Sequence, residues 1–251
     1  MQHTKKATRT FKAMATVAAF VAIILAGMVS NAPRVQAQEN RVASRTLSIP
    51  APLQAQDDSE TLLIQRGFAI APVPLNLAGK SRALVGLGSY LVNARSDCNS
   101  CHTAGGPPNF DFAAGGNPYW GQPKKVDPAT YLGGGQDFGP AGPPDNPGPD
   151  IVSRNLTPDK TGRPEGGHTL AEFKEILRTG KDFDHLHPTC SDTVTTNCIG
   201  APVDGSLLQI MPWPTFQNMT DRDLDAIYEY LSAIPCYEGP PAPSPLHNEC
   251  Q

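Results

Sequence analysis

The sequence predicts a mainly α-helical domain whose helices are joined by long loops rich in glycine and proline. Three observations carry this expectation. Apolar residues recur at helical spacing in three segments, beginning near Ser81, Thr169 and Thr220. The last two segments open on residues suited to cap a helix and close on Gly180 and Pro235, which stop one. The connections, notably 105–108, 133–135 and 139–149, are dense in glycine and proline.

The chain begins with Lys5, Lys6, Arg9 and Lys12, then an apolar run from Ala13 to Val29 and a small-residue cleavage site at Val35-Gln36-Ala37. This is the pattern of an export signal over residues 1–37. An uncleaved anchor is the alternative, since the run is near the lower limit for spanning a bilayer. Residues 38–79 carry little periodic pattern and four prolines (Pro50, Pro52, Pro72, Pro74), so they are expected to form an extended arm, either one that wraps its own domain or a disordered linker.

From Ser81, Leu84, Val85, Leu87, Leu91 and Val92 mark the first helix of the domain, assigned to residues 80–235. Gly86 and Gly88 weaken it intrinsically, and their lack of side chains suits a close helix crossing. Next comes Cys98-Asn99-Ser100-Cys101-His102. Behind an export signal, C-x-x-C-H is a covalent haem attachment site. Two thiols three residues apart reach two vinyl groups of one porphyrin, and the adjacent His102 offers an imidazole to iron. A redox dithiol needs no adjacent histidine, and a zinc site lacks its second ligand pair here. No second C-x-x-C-H occurs, so one haem c is expected.

The glycine- and proline-rich segment after the pentad suits a wrapper for a flat ring. Gly106-Pro107-Pro108 is the expected source of the carbonyl that orients His102. Arg154, Asn155 and Arg178 are candidates to hold the ring's carboxylates, and Trp120 and Trp213 candidates to pack on it. A solvated surface role for the first three and an ordinary core role for the tryptophans stand beside those readings. The helix beginning at the capping box Thr169-Leu170-Ala171-Glu172 runs through Phe173, Ile176 and Leu177. The last opens on Thr220 with Asp221 and Asp223 in its first turn, and Leu224, Ile227, Tyr228, Leu231 and Ile234 form its apolar stripe. Residues 236–251 are a cysteine-containing tail. Cys190, Cys198, Cys236 and Cys250 allow three pairings; the local one, Cys190–Cys198 with Cys236–Cys250, is the natural expectation, and a metal site from His185, His187 and Cys190 the alternative use.

The chain has 20 basic and 24 acidic residues. Residues 1–37 hold five of the basic and none of the acidic ones, so the remainder stands at 15 against 24, net −9. That balance argues against nucleic acid and anionic lipid as partners and suits a redox partner with a basic docking patch.

A helix leading into C-x-x-C-H, then a methionine loop and a terminal helix, resembles the class I c-type cytochromes. The closer resemblance is to the cytochrome c domains and subunits of periplasmic alcohol, sugar and aldehyde dehydrogenases. Gly88-Ser89-Tyr90-Leu91-Val92, Cys98 to Thr103, Asn155-Leu156-Thr157-Pro158-Asp159, Glu172-Phe173, Arg178-Thr179-Gly180, Met211-Pro212-Trp213 and Met219-Thr220-Asp221 carry it. The long arm, the insertion near 187–200 and the tail depart from it. Met211, Met219, His168, His185, His187 and His247 are the candidates for a sixth iron ligand, and the resemblance selects Met211. It implies a periplasmic carrier, not itself an enzyme, moving single electrons from a dehydrogenase or quinol-oxidising complex to another cytochrome or a terminal oxidase. A haem enzyme of peroxidase or thiosulfate-oxidising type, or a haem sensor, is the alternative and requires an open or displaceable sixth position.

Overall fold

The computed structural model describes residues 51–104, 111–142, 144–184 and 186–251, with side chains described from residue 59 onward. The export signal at 1–37 and the first part of the arm lie outside the described residues, as do Gly106-Pro107-Pro108 and His185. Among the described residues, seven α-helical segments and one small sheet are the main regular elements: α1 (Ala51–Ile70), α2 (Arg82–Tyr90), α3 (Cys98–His102), β1 (Asp137–Pro140), β2 (Asp150–Val152), α4 (Pro164–Gly167), α5 (Leu170–Thr179), α6 (Trp213–Phe216) and α7 (Asp221–Leu231). β1 and β2 pair antiparallel. Among the described residues no helix is long and apolar enough to cross a membrane.

The first of these elements corrects the extended arm expected over 38–79. Residues 51–70 are helical although their polar and apolar residues are poorly segregated. Tertiary packing supplies what periodicity lacks: Leu63, Ile64 and Phe68 pack against the core, and Glu60 pairs with Arg222 of α7. Only residues 71–80 return to an irregular path, with Asn76 N–H donating to the Ala233 carbonyl.

Ser81 caps α2 by accepting from Leu84 N–H. The crossing of α2 with α7 is the centre of the molecule, and Gly88 makes it possible. A methyl group there would stand 1.9 Å from the Ala226 carbonyl oxygen. The sequence-level suspicion that these glycines admit a neighbouring helix therefore holds. Val85, Leu87, Leu91 and Val92 pack beside this contact with Leu224, Ile227, Tyr230 and Leu231, all buried. α2 widens into a π-turn over Leu91–Arg95 and ends at Asp97, whose left-handed backbone redirects the chain into α3.

A polar network runs through the same core. Tyr131 Oη donates to Asn93 Oδ1 at 2.6 Å and meets Tyr230 Oη at 2.9 Å, while Asn93 Nδ2 reaches Tyr230 Oη at 3.1 Å. Ser89 Oγ donates to the Gly67 carbonyl at 2.7 Å, tying α1 to α2. Buried polar groups that are mutually satisfied in this way fix which residues meet across a packed core.

Both expected caps are present in full. Thr169 and Glu172 close a reciprocal box on α5, and Thr220 and Asp223 close one on α7. The cysteines pair locally, Cys190 with Cys198 and Cys236 with Cys250. Asn248 holds the tail down by donating to the Thr157 and Pro158 carbonyls at 3.1 and 3.0 Å.

Candidate functional site

The pentad folds as α3, and its side chains separate by role. Asn99 faces inward and positions the helix: its Oδ1 accepts from Leu132 N–H at 2.9 Å and its Nδ2 donates to Asp111 at 3.2 Å. Cys98 is half-buried, Cys101 exposed, and both are unpaired thiols. Burial, aided by Asp97 and Cys101, pushes the Cys98 thiol up to about 12, so it stays protonated.

His102 is buried, and burial holds its imidazole below the usual histidine range and therefore neutral. Its Nδ1 lies 2.8 Å from the Arg154 carbonyl oxygen. A carbonyl only accepts, so Nδ1 carries the proton and Nε2 keeps its lone pair. The carbonyl that orients His102 is thus Arg154's, which replaces the expectation placed on Gly106-Pro107-Pro108. The chain is brought to that point by Gly134, whose N–H donates to the His102 carbonyl at 2.7 Å. A Cβ on Gly134 would lie 2.4 Å from the Arg154 carbonyl carbon, so only glycine lets the two strands of backbone meet.

α3 forms one side of an open cleft with a cavity volume of about 170 Å³. Cys98, Cys101, His102 and Met211 all line it, so residues more than a hundred positions apart in sequence share one cavity. Ile151, Val152 and Leu156 add apolar wall from the β2 side. Leu186, Ile199, Leu207 and Leu208 add more from the disulfide-closed insertion and the segment before Met211. Two thiols, an imidazole with an available Nε2 and a thioether in an apolar cavity are a donor set that fits a covalently attached, iron-bearing porphyrin.

The Met211 segment is firmly held. Gln209 Nε2 donates to the Leu207 carbonyl at 2.7 Å and to that of Asp204 at 2.9 Å. Ile210 takes a φ of +66°, with Met211 N–H donating to the Gln209 carbonyl at 2.6 Å across it. A β-branched residue in that conformation is rare and signals a constrained turn. Trp213 Nε1 donates to the Leu208 carbonyl at 3.2 Å, and its indole lies over Gly180.

The remaining candidates fall in different places. Arg154 lines the cleft, but its guanidinium is engaged by Asp182 at 2.9 Å and Asp184 at 2.5 Å. Asn155 braces the tail through the Tyr237 carbonyl, and Arg178 pairs with Asp221 and the Gln217 carbonyl away from the cleft. Trp120 is 56% exposed, and neither it nor Trp213 lines the cleft. Met219 packs against the core, His168 approaches Glu172 and Asp184, and His247 faces the Pro240 carbonyl. Of the alternative sixth ligands, His187 reaches the cleft wall. The alternative metal site is removed by the Cys190–Cys198 bond, and among the described residues no cluster suited to a metal ion occurs. Glu165 and Asp182 also line the cleft. Neither was legible beforehand, because a lone carboxylate in a loop has no distinguishing pattern.

No family model matches the chain, and no solved structure matches it. Among curated proteins, it is 31% identical over 167 residues to the cytochrome c subunit of alcohol dehydrogenase (quinone) of Gluconacetobacter polyoxogenes, covering 66% of this chain and 24% of that protein. It is 29% identical over 151 residues to the gluconate 2-dehydrogenase cytochrome c subunit of Pantoea cypripedii, 59% of this chain and 23% of that one. The fructose dehydrogenase cytochrome subunit of Gluconobacter japonicus is 28% identical over 186 residues, 72% of this chain and 27% of that protein. The chain therefore spans about a quarter of the length of the curated relatives it matches. The resemblance to dehydrogenase-associated cytochrome c subunits extends over most of the domain, beyond the pentad.

Proposed function

We propose that the protein is an exported c-type cytochrome that carries single electrons from a dehydrogenase or quinol-oxidising complex to a downstream cytochrome or oxidase. One haem c would be held by thioether bonds to Cys98 and Cys101, with His102 and Met211 as iron ligands. When bound, the haem supplies a one-electron couple at the iron. The observation that carries this reading is the orientation of His102, whose Nδ1–H is committed to the Arg154 carbonyl while its ring lines the cleft that also holds both thiols and Met211.

Each residue contributes a distinct physical effect. Arg154's carbonyl fixes the imidazole tautomer and raises its basicity as a ligand. A thioether donor from Met211 favours ferrous iron and raises the reduction potential above that of two imidazoles. The apolar walls from Val152, Leu156 and Leu208 exclude water, which further disfavours the more highly charged oxidised state. With His102 and Met211 both holding the iron, no position would be left for a substrate, which suits a carrier and not a catalyst. The acidic surface left after removal of residues 1–37 suits a partner with a basic docking patch. The N-terminal segment would export the chain, leaving it periplasmic or, if uncleaved, tethered to the inner membrane.

The test is optical and EPR spectroscopy of the haem-loaded protein with Met211→Ala beside it. A six-coordinate low-spin spectrum with a sulfur-to-iron band in the far red, lost in the variant, is expected. A high-spin wild type that binds carbon monoxide readily would overturn the carrier reading in favour of a haem enzyme or sensor.

A further inference from the structure

We infer that the protein takes up a proton together with its electron, and that the carboxylate of Glu165 is the group that receives it. The inference rests on the electron-carrier reading and adds a second transported species to it.

Glu165 lies on α4, between the main cleft and a smaller adjoining cavity, and lines both. Arg154, Asp182 and Leu208 are the other residues common to the two walls. Its backbone sits at φ 51°, ψ 62°, a left-handed conformation uncommon for a residue with a side chain and one that tends to persist where function requires it.

The charged and titratable groups around it are few. Arg154 comes from the segment after β2, Asp182 and Asp184 from the segment after α5, and His168 follows α4. Lys181 also borders the smaller cavity but pairs with Glu175 at 3.0 Å. His187 borders the main cleft. The Arg154 guanidinium is already shared by Asp182 and Asp184, so Glu165 brings a third carboxylate to one cation. Burial pushes the Glu165 carboxyl up to about 7; Arg154 opposes this, and Asp184 and Asp182 reinforce it. An electron entering the cleft adds one more negative charge to this weakly screened region, and like charge favours the protonated carboxyl.

The step balances as follows. One electron comes from the partner's reduced redox cofactor and one proton from water. The proton forms an O–H bond on the Glu165 carboxylate, so the region takes up no net charge. On reoxidation the electron passes to the acceptor and the proton returns to water. Asp182, Arg154 and His168 of the smaller cavity offer the polar lining through which it moves.

Spectroelectrochemical titration of the full-length haem-loaded protein between pH 5 and 9 tests this. The wild type is expected to need a potential that falls with pH, approaching a tenfold change in the reduced-to-oxidised ratio per pH unit, or 59 mV for a one-electron couple. Glu165→Gln should flatten the dependence with the visible spectrum unchanged. Asp184→Asn should keep the slope but move it to lower pH, since it removes a neighbouring negative charge. Redox-difference infrared spectroscopy of the wild type should show a carboxylic-acid C=O band gained on reduction, and this measurement stands even if the glutamine variant does not fold. A pH-independent wild-type potential, or a slope retained in Glu165→Gln, overturns the inference. Failure to acquire covalent haem overturns the carrier reading instead, and appears in the spectrum before any potential is measured.

Discussion

Replacing Gly88 by alanine probes the α2–α7 crossing on which the position of the pentad depends. The new Cβ would stand 1.9 Å from the Ala226 carbonyl oxygen, 2.6 Å from its carbon and 2.7 Å from Tyr230 Cβ. The first distance is about 1.6 Å short of the ~3.5 Å at which non-bonded atoms rest. The obstacle is backbone inside a helix, so no side chain can swing away and the helices themselves must part. Overpacking of this kind costs about 1–3 kcal/mol or more. The gain from placing alanine in a helix, about 1 kcal/mol, offsets part of it. Because the clash is with backbone, we expect the upper end to apply and a net loss of about 2–3 kcal/mol. Urea denaturation followed by circular dichroism would register this as a midpoint lowered by roughly 1–1.5 M at a slope near 2 kcal/mol per molar. A midpoint shifted by less than ~0.3 M would refute the close approach, since the lost packing could not then amount to 1 kcal/mol.

Four further outcomes follow. Gly86→Ala should destabilise less, because its new methyl meets the side-chain ends of Ile64 and Phe68 besides one carbonyl; limited proteolysis should then cut α1 sooner than in wild type. Removing Cys236–Cys250 with paired alanines should lower stability by about 3 kcal/mol and removing Cys190–Cys198 by somewhat less, following the sizes of the loops they close, as thermal melts of the two double variants can compare. Asn248→Ala leaves the buried Thr157 and Pro158 carbonyls without that donor and should cost about 2 kcal/mol in urea titration. Glu165 and Asp111 sit at about 7 and about 6 in the folded protein, above their ordinary values, so the folded state binds more protons than the unfolded one. The contribution of these two groups is present below about pH 4 and is lost as pH rises to about 7; Glu165→Gln should match the wild type at pH 4 and exceed it at pH 8 in parallel urea titrations.

What could be read from the residues was whatever local chemistry encodes. Thr169 with Glu172 and Thr220 with Asp223 announce helix starts because the capping groups are neighbours in sequence. The pentad is legible for the same reason, and local pairing of the cysteines was the natural expectation. α1 escaped because its stability comes from Gly67, Ile64 and Phe68 meeting α2, a long-range fact that leaves no amphipathic stripe. The partner of His102 escaped for a deeper reason. Arg154 acts there through its carbonyl, which every residue possesses, so side-chain identity says nothing about it. Glu165 reaches the cleft through the α4 turn, and spacing along the chain does not record such a path.

The distribution of the six cysteines sets an ordering problem for the chain's maturation. Four are joined across 8 and 14 residues, while Cys98 and Cys101 remain thiols three residues apart in α3. In an oxidising milieu all six compete for the same oxidant, and bridging the wrong pair would leave the cleft without its anchors. Short loops close with little entropy loss, which favours both structural bonds over longer pairings but favours a Cys98–Cys101 bond as well. Once the domain has folded, burial keeps the Cys98 thiol protonated and slows its attack on a disulfide. Sequence proximity therefore accounts for the four loop-closing sulfurs, whereas the α3 pair, closer still in sequence, stays as thiols within the fold that buries Cys98.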